Sequence, residues 1–210
     1  MTTPPHSRVS RADWLRAARE ALVADGIDRV RIAVLAERLD VARSSFYWYF
    51  RDRDDLTSAL LDEWELHNTV SLIERAERRA DTITGALLHV FECWADPRLF
   101  DVQLEFAVRA WARTDEQVRT RLAAADERRI AAFVALHRRF GYPRTEALVR
   151  SRVQYHSQIG MYALGVDEPT AERLRLLPTY LRVFTGVDAS KAELARFARW
   201  VRNASSGSDA

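Results

Sequence analysis

Apolar positions recur every three to four residues along the chain, and the strict alternation of a half-buried strand persists nowhere. This is the pattern of an all-α protein. The first amphipathic segment covers residues 11–24 and puts Trp14, Leu15, Ala18 and Leu22 on one stripe. Ser10 stands where an N-cap belongs, Asp13 where the reciprocal capping-box bond needs a carboxylate, and Gly26 ends the segment. Ile27 and Val30 seal the connection to a short helix over residues 32–39, with Leu35, Ala36 and Leu39 inward. Asp40 and Val41 interrupt the pattern. A third helix begins near Ala42 and carries Arg43, Ser44, Ser45, Phe46, Tyr47, Trp48, Tyr49 and Phe50.

Asp52 reads as the N-cap of a long fourth helix, with Asp55 at its capping-box position, Leu56, Leu60, Trp64 and Ile73 as its stripe, and an end near Arg79. Further helices are predicted over residues 83–95, 97–112, 115–140, 144–164, 169–184 and 190–202. Pro97 suits a helix N1 position, and Gly141 with Pro143 makes a hard stop. The expected organisation is a three-helix head over residues 8–68, a helical bundle over 69–203 and a frayed polar end over 204–210.

Two short helices joined by a tight turn, the second rich in hydrogen-bonding and aromatic side chains, describe a helix-turn-helix. Arg43, Ser44 and Ser45 occupy its N-terminal turn, where a helix laid in the major groove comes closest to base edges and phosphates. Tyr47, Trp48 and Tyr49 project in successive directions, so at least one faces out, whereas Phe46 and Phe50 belong to the core. Arg53 lies in the next helix's first turn, where free amides attract phosphate. An ordinary core helix explains the aromatics alone, but not three polar residues ahead of them and a capped arginine turn behind.

Charge adds little. A net charge of +2 is too small to announce a generic polyanion binder, so any DNA contact depends on local placement. Lys191 is the only lysine, which leaves arginine to supply nearly all positive charge. Cys93 is the only cysteine, so an intrachain disulfide is excluded and a buried thiol in a reducing cytosol is expected. No segment approaches the ~18 apolar residues of a membrane span, and the expected location is cytoplasmic.

From Val9 to about Glu65 the order of these features resembles the TetR family of transcription regulators. Ala36 matches the small residue of the second helix, Tyr47, Tyr49 and Phe50 match the aromatic ending of the third, and Leu56 matches the next apolar position. Arg53 replaces a lysine, Asp40 stands in place of the turn glycine, Ala42 in place of a hydroxyl N-cap, and Arg31 in place of the threonine that opens the second helix. Aspartate tolerates the left-handed conformation, and a lost cap costs about 1 kcal/mol, so the fold survives these departures.

The resemblance implies a homodimeric repressor that binds double-stranded operator DNA, with half-sites about one helical turn, ~34 Å, apart or further. Arg31, Arg43, Ser44, Ser45, Tyr47, Trp48, Tyr49 and Arg53 are the candidate DNA contacts. It also implies a small-molecule inducer in the C-terminal bundle that pushes the fourth helix and changes the spacing of two heads. Trp64, His67, Phe91, Trp94, Phe106, Trp111, Tyr155, His156 and Tyr162 are candidate ligand contacts, although each also reads as plain core. The helix over residues 144–164, with Leu148, Val149, Val153 and Ile159, together with the closing helices, is the expected dimer surface, as a four-helix or larger bundle between subunits.

Five dispersed histidines offer no metal-ligand pair, and no phosphate-binding glycine loop or glycine-flanked nucleophilic serine is present. Neither cofactor nor enzymatic activity is expected. Two rivals stay open: an all-helical enzyme or ligand carrier retaining the head, and an interaction module whose aromatic helix docks on a protein groove.

Overall fold

A computed structural model describes residues 9–166 and 168–206. Among the described residues there are ten α-helices and no strand: α1 (Arg11–Asp25), α2 (Ile32–Arg38), α3 (Arg53–Trp64), α4 (Ser71–Glu77), α5 (Ile83–Ala95), α6 (Val102–Trp111), α7 (Glu116–Arg139), α8 (Arg144–Ala163), α9 (Thr170–Thr185) and α10 (Lys191–Ser206). Arg43–Trp48 forms a 3-10 helix and Glu65–Val70 a π-helical turn. The all-α expectation holds.

Two compact units divide the chain at Glu65. The first takes in Gln103–Leu122 as well as the N-terminal helices, whereas the sequence pattern assigned those later residues to the C-terminal bundle. The reason is chemical. Trp64 of α3 is fully buried and donates its indole N–H to Glu105 of α6 at 2.8 Å, and Glu105, also fully buried, is paired with Arg109 at 2.9 Å. A carboxylate is kept out of water only where charge and hydrogen bonds compensate it, and that requirement ties α6 to α3.

Within the first unit, α1 begins with the expected box: Asp13 N–H bonds the Ser10 hydroxyl, and the Asp13 carboxylate accepts from the Ser10 N–H at 2.9 Å. Trp14, Ala18 and Leu22 of α1 are buried, as are Leu35 of α2 and Leu56 and Leu60 of α3, and α1 contacts both of those helices. Asp52 caps α3 through the Asp55 N–H at 2.8 Å. The Asp55 carboxylate reaches back one residue further than a capping box requires and accepts from the Arg51 N–H at 3.0 Å.

The second unit is built around α5, which contacts α4, α9 and α10. Surrounded on several sides, α5 is apolar nearly throughout, as a central helix must be. Its Glu92 is neutralised by Arg78 at 3.0 Å and Arg75 at 3.3 Å. Cys93 lies in the same core, with burial pushing its thiol up to about 12. Arg129 of α7 is completely buried, donates to the Thr69 and Tyr155 hydroxyls at 3.0 Å each, and lies over the Phe100 ring.

The helix expected to run unbroken from Asp52 to about Arg79 is interrupted by the π-helical turn. The wider turn brings two sequence neighbours, Asn68 and Thr69, inward together, both fully buried. Asn68 donates to the Asp101 carbonyl at 3.0 Å and accepts from its N–H at 2.9 Å. At the far end, α10 continues through Ser206, beyond the expected end at residue 202. Residues 207–210 of the expected frayed end lie outside the described residues.

Candidate nucleic-acid interface and ligand cavity

The turn between α2 and the 3-10 helix depends on Asp40, whose φ of 52° makes it the one non-glycine residue with positive φ among the described residues. A short polar side chain tolerates that region where a β-branched one would not. The turn closes when the Val41 N–H reaches the Ala36 carbonyl at 3.0 Å. Ala42 offers no side-chain cap; the Ser45 hydroxyl instead donates to the Ala42 carbonyl at 2.7 Å.

Phe46 anchors the 3-10 helix. Its buried ring meets Trp14 edge-on at 5.2 Å and stacks on Phe50 at 5.5 Å. With three residues per turn, positions i and i+3 are aligned, so burying Phe46 leaves Ser44 with Tyr47 on one row and Ser45 with Trp48 on another. Tyr47 is 58% exposed and Trp48 81%, and Arg43 and Ser44 are exposed beside them. Two large aromatic side chains held in water by a rigid anchor are an unusual expense of apolar surface, which points to a binding face.

Arg31 is exposed at the start of α2 and gives it no side-chain cap. Two other candidates are structural. The Tyr49 hydroxyl donates to the Val9 carbonyl at 2.6 Å, which draws the ring partly inward. Arg53, expected to meet phosphate, donates to the Val30 carbonyl at 2.7 Å and the Ile27 carbonyl at 3.0 Å, so its guanidinium braces the connection between α1 and α2. The exposed cation at the start of α3 is Arg51, which sequence reasoning passed over; it lies 3.3 Å from Asp55, whose carboxyl it helps hold below the usual range.

The second unit contains a cavity of about 140 Å³ between α5, α8, α9 and α10. Phe91, Trp94 and Tyr162 line it, as expected of ligand contacts. The other candidates lie elsewhere. Trp64, Phe106 and Trp111 belong to the first unit, where Trp64 is spent on Glu105. His67 lies 3.1 Å from the Pro97 carbonyl through Nε2, Tyr155 is buried with its hydroxyl on Asp126 at 2.6 Å, and His156 is exposed beside the Tyr155 ring. Sequence reasoning missed Tyr180, Phe184 and Phe197, which complete the aromatic wall. Their helical spacing was legible; the cavity they face was not.

Among the described residues no group of three or more side chains is arranged to hold a metal ion, and no helix is long and apolar enough to cross a membrane.

Residues 15–60 match the family described as bacterial regulatory proteins, tetR family. Over 81 residues, 39% of this chain, the sequence is 33% identical to the HTH-type transcriptional regulator TtgR of Pseudomonas putida. The same identity and extent relate it to ArpR of Pseudomonas putida, described as a probable HTH-type transcriptional regulator. The match spans 38% of the length of each of these relatives. Among solved structures, Salmonella enterica GusR superposes with a TM-score of 0.63 at 18% identity, covering 84% of this chain and 93% of that one. Mycobacterium smegmatis AmtR gives 0.58 at 20% identity, covering 93% and 95%. These two likenesses concern the fold.

Proposed function

We propose that the chain, whose residues 15–60 match the tetR family of bacterial regulatory proteins, is a member of that family and a sequence-specific DNA-binding transcription regulator, a homodimeric repressor released from its operator by a small molecule. The observation that carries this reading is the joint exposure of Arg43, Ser44, Tyr47 and Trp48 on a 3-10 helix pinned by buried Phe46. Arginine supplies phosphate or guanine contacts, the serine hydroxyl serves either groove edge, and the aromatic rings lie against sugars and thymine methyls.

Homodimer formation has its own support. Val149 and Val153 of α8, Val183 of α9 and Val187 just beyond it are exposed, and the first three line a depression with Pro143, Thr145, Glu146 and Arg150. A symmetric pairing of two copies buries this face, and two heads then meet a palindromic site. The aromatic cavity is the place for the inducer. A ligand that favours the low-affinity state by ~1–3 kcal/mol suffices for release.

The test is a footprint of the purified protein on DNA upstream of its own gene. Protection of two related half-sites, about one helical turn apart or further, is expected. Binding no tighter to that fragment than to an unrelated one of the same length sinks the proposal.

A further inference from the structure

We propose that the second unit carries a binding site for a compact polyphosphate, as the inorganic anion or as the tail of a nucleotide, held by the guanidinium groups of Arg75, Arg78, Arg139 and Arg196. None of these four side chains lines the aromatic cavity.

The four cations converge on one side chain. Arg78, Arg75, Arg196 and Arg139 all lie near enough to His89 of α5 for their charge to oppose protonation of its ring. Three helices bring them there: Arg75 and the C-cap Arg78 come from α4, Arg139 is the last residue of α7, and Arg196 belongs to α10, which packs on α5. Arg139 is fixed in place, because its guanidinium donates to the Ala76 carbonyl at 3.0 Å and the Arg78 carbonyl at 3.4 Å and so closes the end of α4.

Negative charge around them falls short. Among the described residues, Glu92 is the one carboxylate in ion-pair contact with any of the four, and a single oxygen of it serves both Arg78 at 3.0 Å and Arg75 at 3.3 Å. Arg139 meets two carbonyls and the Phe140 ring but no carboxylate. Arg196 makes neither hydrogen bond nor ion pair among the described residues. Glu193, one turn before it, is engaged by donors from Thr82, Thr84 and Ser190.

Like charges gathered this way repel one another, and an anion that carries several charges in a small volume relieves the repulsion. Arg78, Arg139 and Arg196 are exposed and Arg75 is partly buried, so such an anion reaches them from solvent. Guanidinium forks pair with phosphate oxygens two at a time, which favours a phosphate chain over a halide or a lone carboxylate. A duplex strings its phosphates along a surface, whereas these cations gather at one ring.

The test is calorimetric titration of the full chain, without DNA or divalent cations, with inorganic pyrophosphate, orthophosphate and ADP. Pyrophosphate is expected to bind at least tenfold tighter than orthophosphate; ADP binding tighter than pyrophosphate identifies a nucleotide tail, and weaker binding identifies the free anion. Arg196→Gln removes a side chain without a partner in the fold and is expected to weaken pyrophosphate roughly tenfold, while Arg43→Gln in the first unit leaves it unchanged. Arg196→Lys is expected to recover part of the loss. In the unsubstituted protein, pyrophosphate is expected to raise the melting temperature more than sodium chloride at equal ionic strength, a readout that needs no variant. Pyrophosphate bound no tighter than orthophosphate, or lost with Arg43→Gln and kept with Arg196→Gln, overturns the inference. So does an unrelated duplex whose affinity falls with Arg196→Gln while pyrophosphate gives no heat, which assigns the face to nucleic acid. Operator footprinting is read separately, so failure here leaves the regulator reading standing.

Discussion

The guanidinium of Arg53 donates to the Val30 carbonyl at 2.7 Å, twenty-three residues back along the chain. Its second nitrogen takes the Ile27 carbonyl at 3.0 Å. A cation that satisfies two carbonyls at the end of a turn acts on the fold, whichever surface it lies near. Arg53→Ala is therefore expected to cost about 2 kcal/mol in urea unfolding, in line with hydrogen bonds from a charged donor. The slope of DNA affinity against salt is expected to stay as it was. A slope reduced by one phosphate contact would put Arg53 on the DNA instead.

Arg43 and Trp48 should behave in the opposite way. Both are exposed, so Arg43→Ala and Trp48→Ala are expected to leave unfolding within ~0.5 kcal/mol of the parent. Arg43→Ala should lower the salt slope by about 0.9 if it contacts phosphate, and Trp48→Ala should weaken operator binding roughly tenfold. Gel shifts at several salt concentrations read both effects.

Asp40 holds the turn at a φ of 52°. A β-branched residue meets its own backbone there, so Asp40→Val is expected to lower stability by about 1–2 kcal/mol, while Asp40→Gly is expected not to lower it. Thermal melting of the pair checks this, and equal melting of both variants would contradict the strained turn.

The valine face on α8 and α9 gives an assembly prediction. Val153→Glu with Val183→Glu places charge where apolar side chains are exposed in the single chain. In a dimer that buries them, each glutamate forfeits hydration and each lost valine forfeits roughly 1.5 kcal/mol or more. Sedimentation is expected to show a dimer for the parent and a monomer for the double variant, with helix content unchanged.

Acid should destabilise the second unit in two stages. Burial, helped by Arg78, Arg75, Arg196 and Arg139, pushes His89 down from 6.5 to about 4. Its unfolded form therefore takes up a proton first, and stability falls as pH drops from about 6.5 towards 4. His137, lowered chiefly by burial, adds in the same sense. Glu193 follows: burial opposes its ionisation, yet donors from Thr82, Ser190 and Thr84 hold it down to about 2, so its contribution is lost between about 4.5 and 2. Denaturant titrations across pH should show the first fall flattened by His89→Gln and the second by Glu193→Gln.

Local chemistry made much of the head legible. Ser10 with Asp13, the left-handed Asp40 and the Asp52 cap each depend on neighbours within a few residues, and the sequence displays such neighbours directly. Arg51 and Arg53 show where that reach ends. They flank one N-cap and look interchangeable, and only carbonyls more than twenty residues away separate the brace from the exposed cation. Trp64 makes the same point for the cavity. Helical spacing says that it is buried, but its partner is Glu105, forty-one residues on, and so it lies with the first unit and not beside Trp94. The π-helical turn left no trace in the apolar pattern either, because what it accommodates is the pair Asn68 and Thr69, both polar.

Cys93 has a practical consequence. Its sulfur is sealed in the core and ionises only near 12, so alkylating reagents and mild oxidants meet no thiolate at neutral pH. The native chain is thus chemically silent towards maleimides. A single Trp48→Cys or Val153→Cys replacement supplies the molecule's one labelling handle, and a fluorophore attached there reports on that surface with no background from the interior.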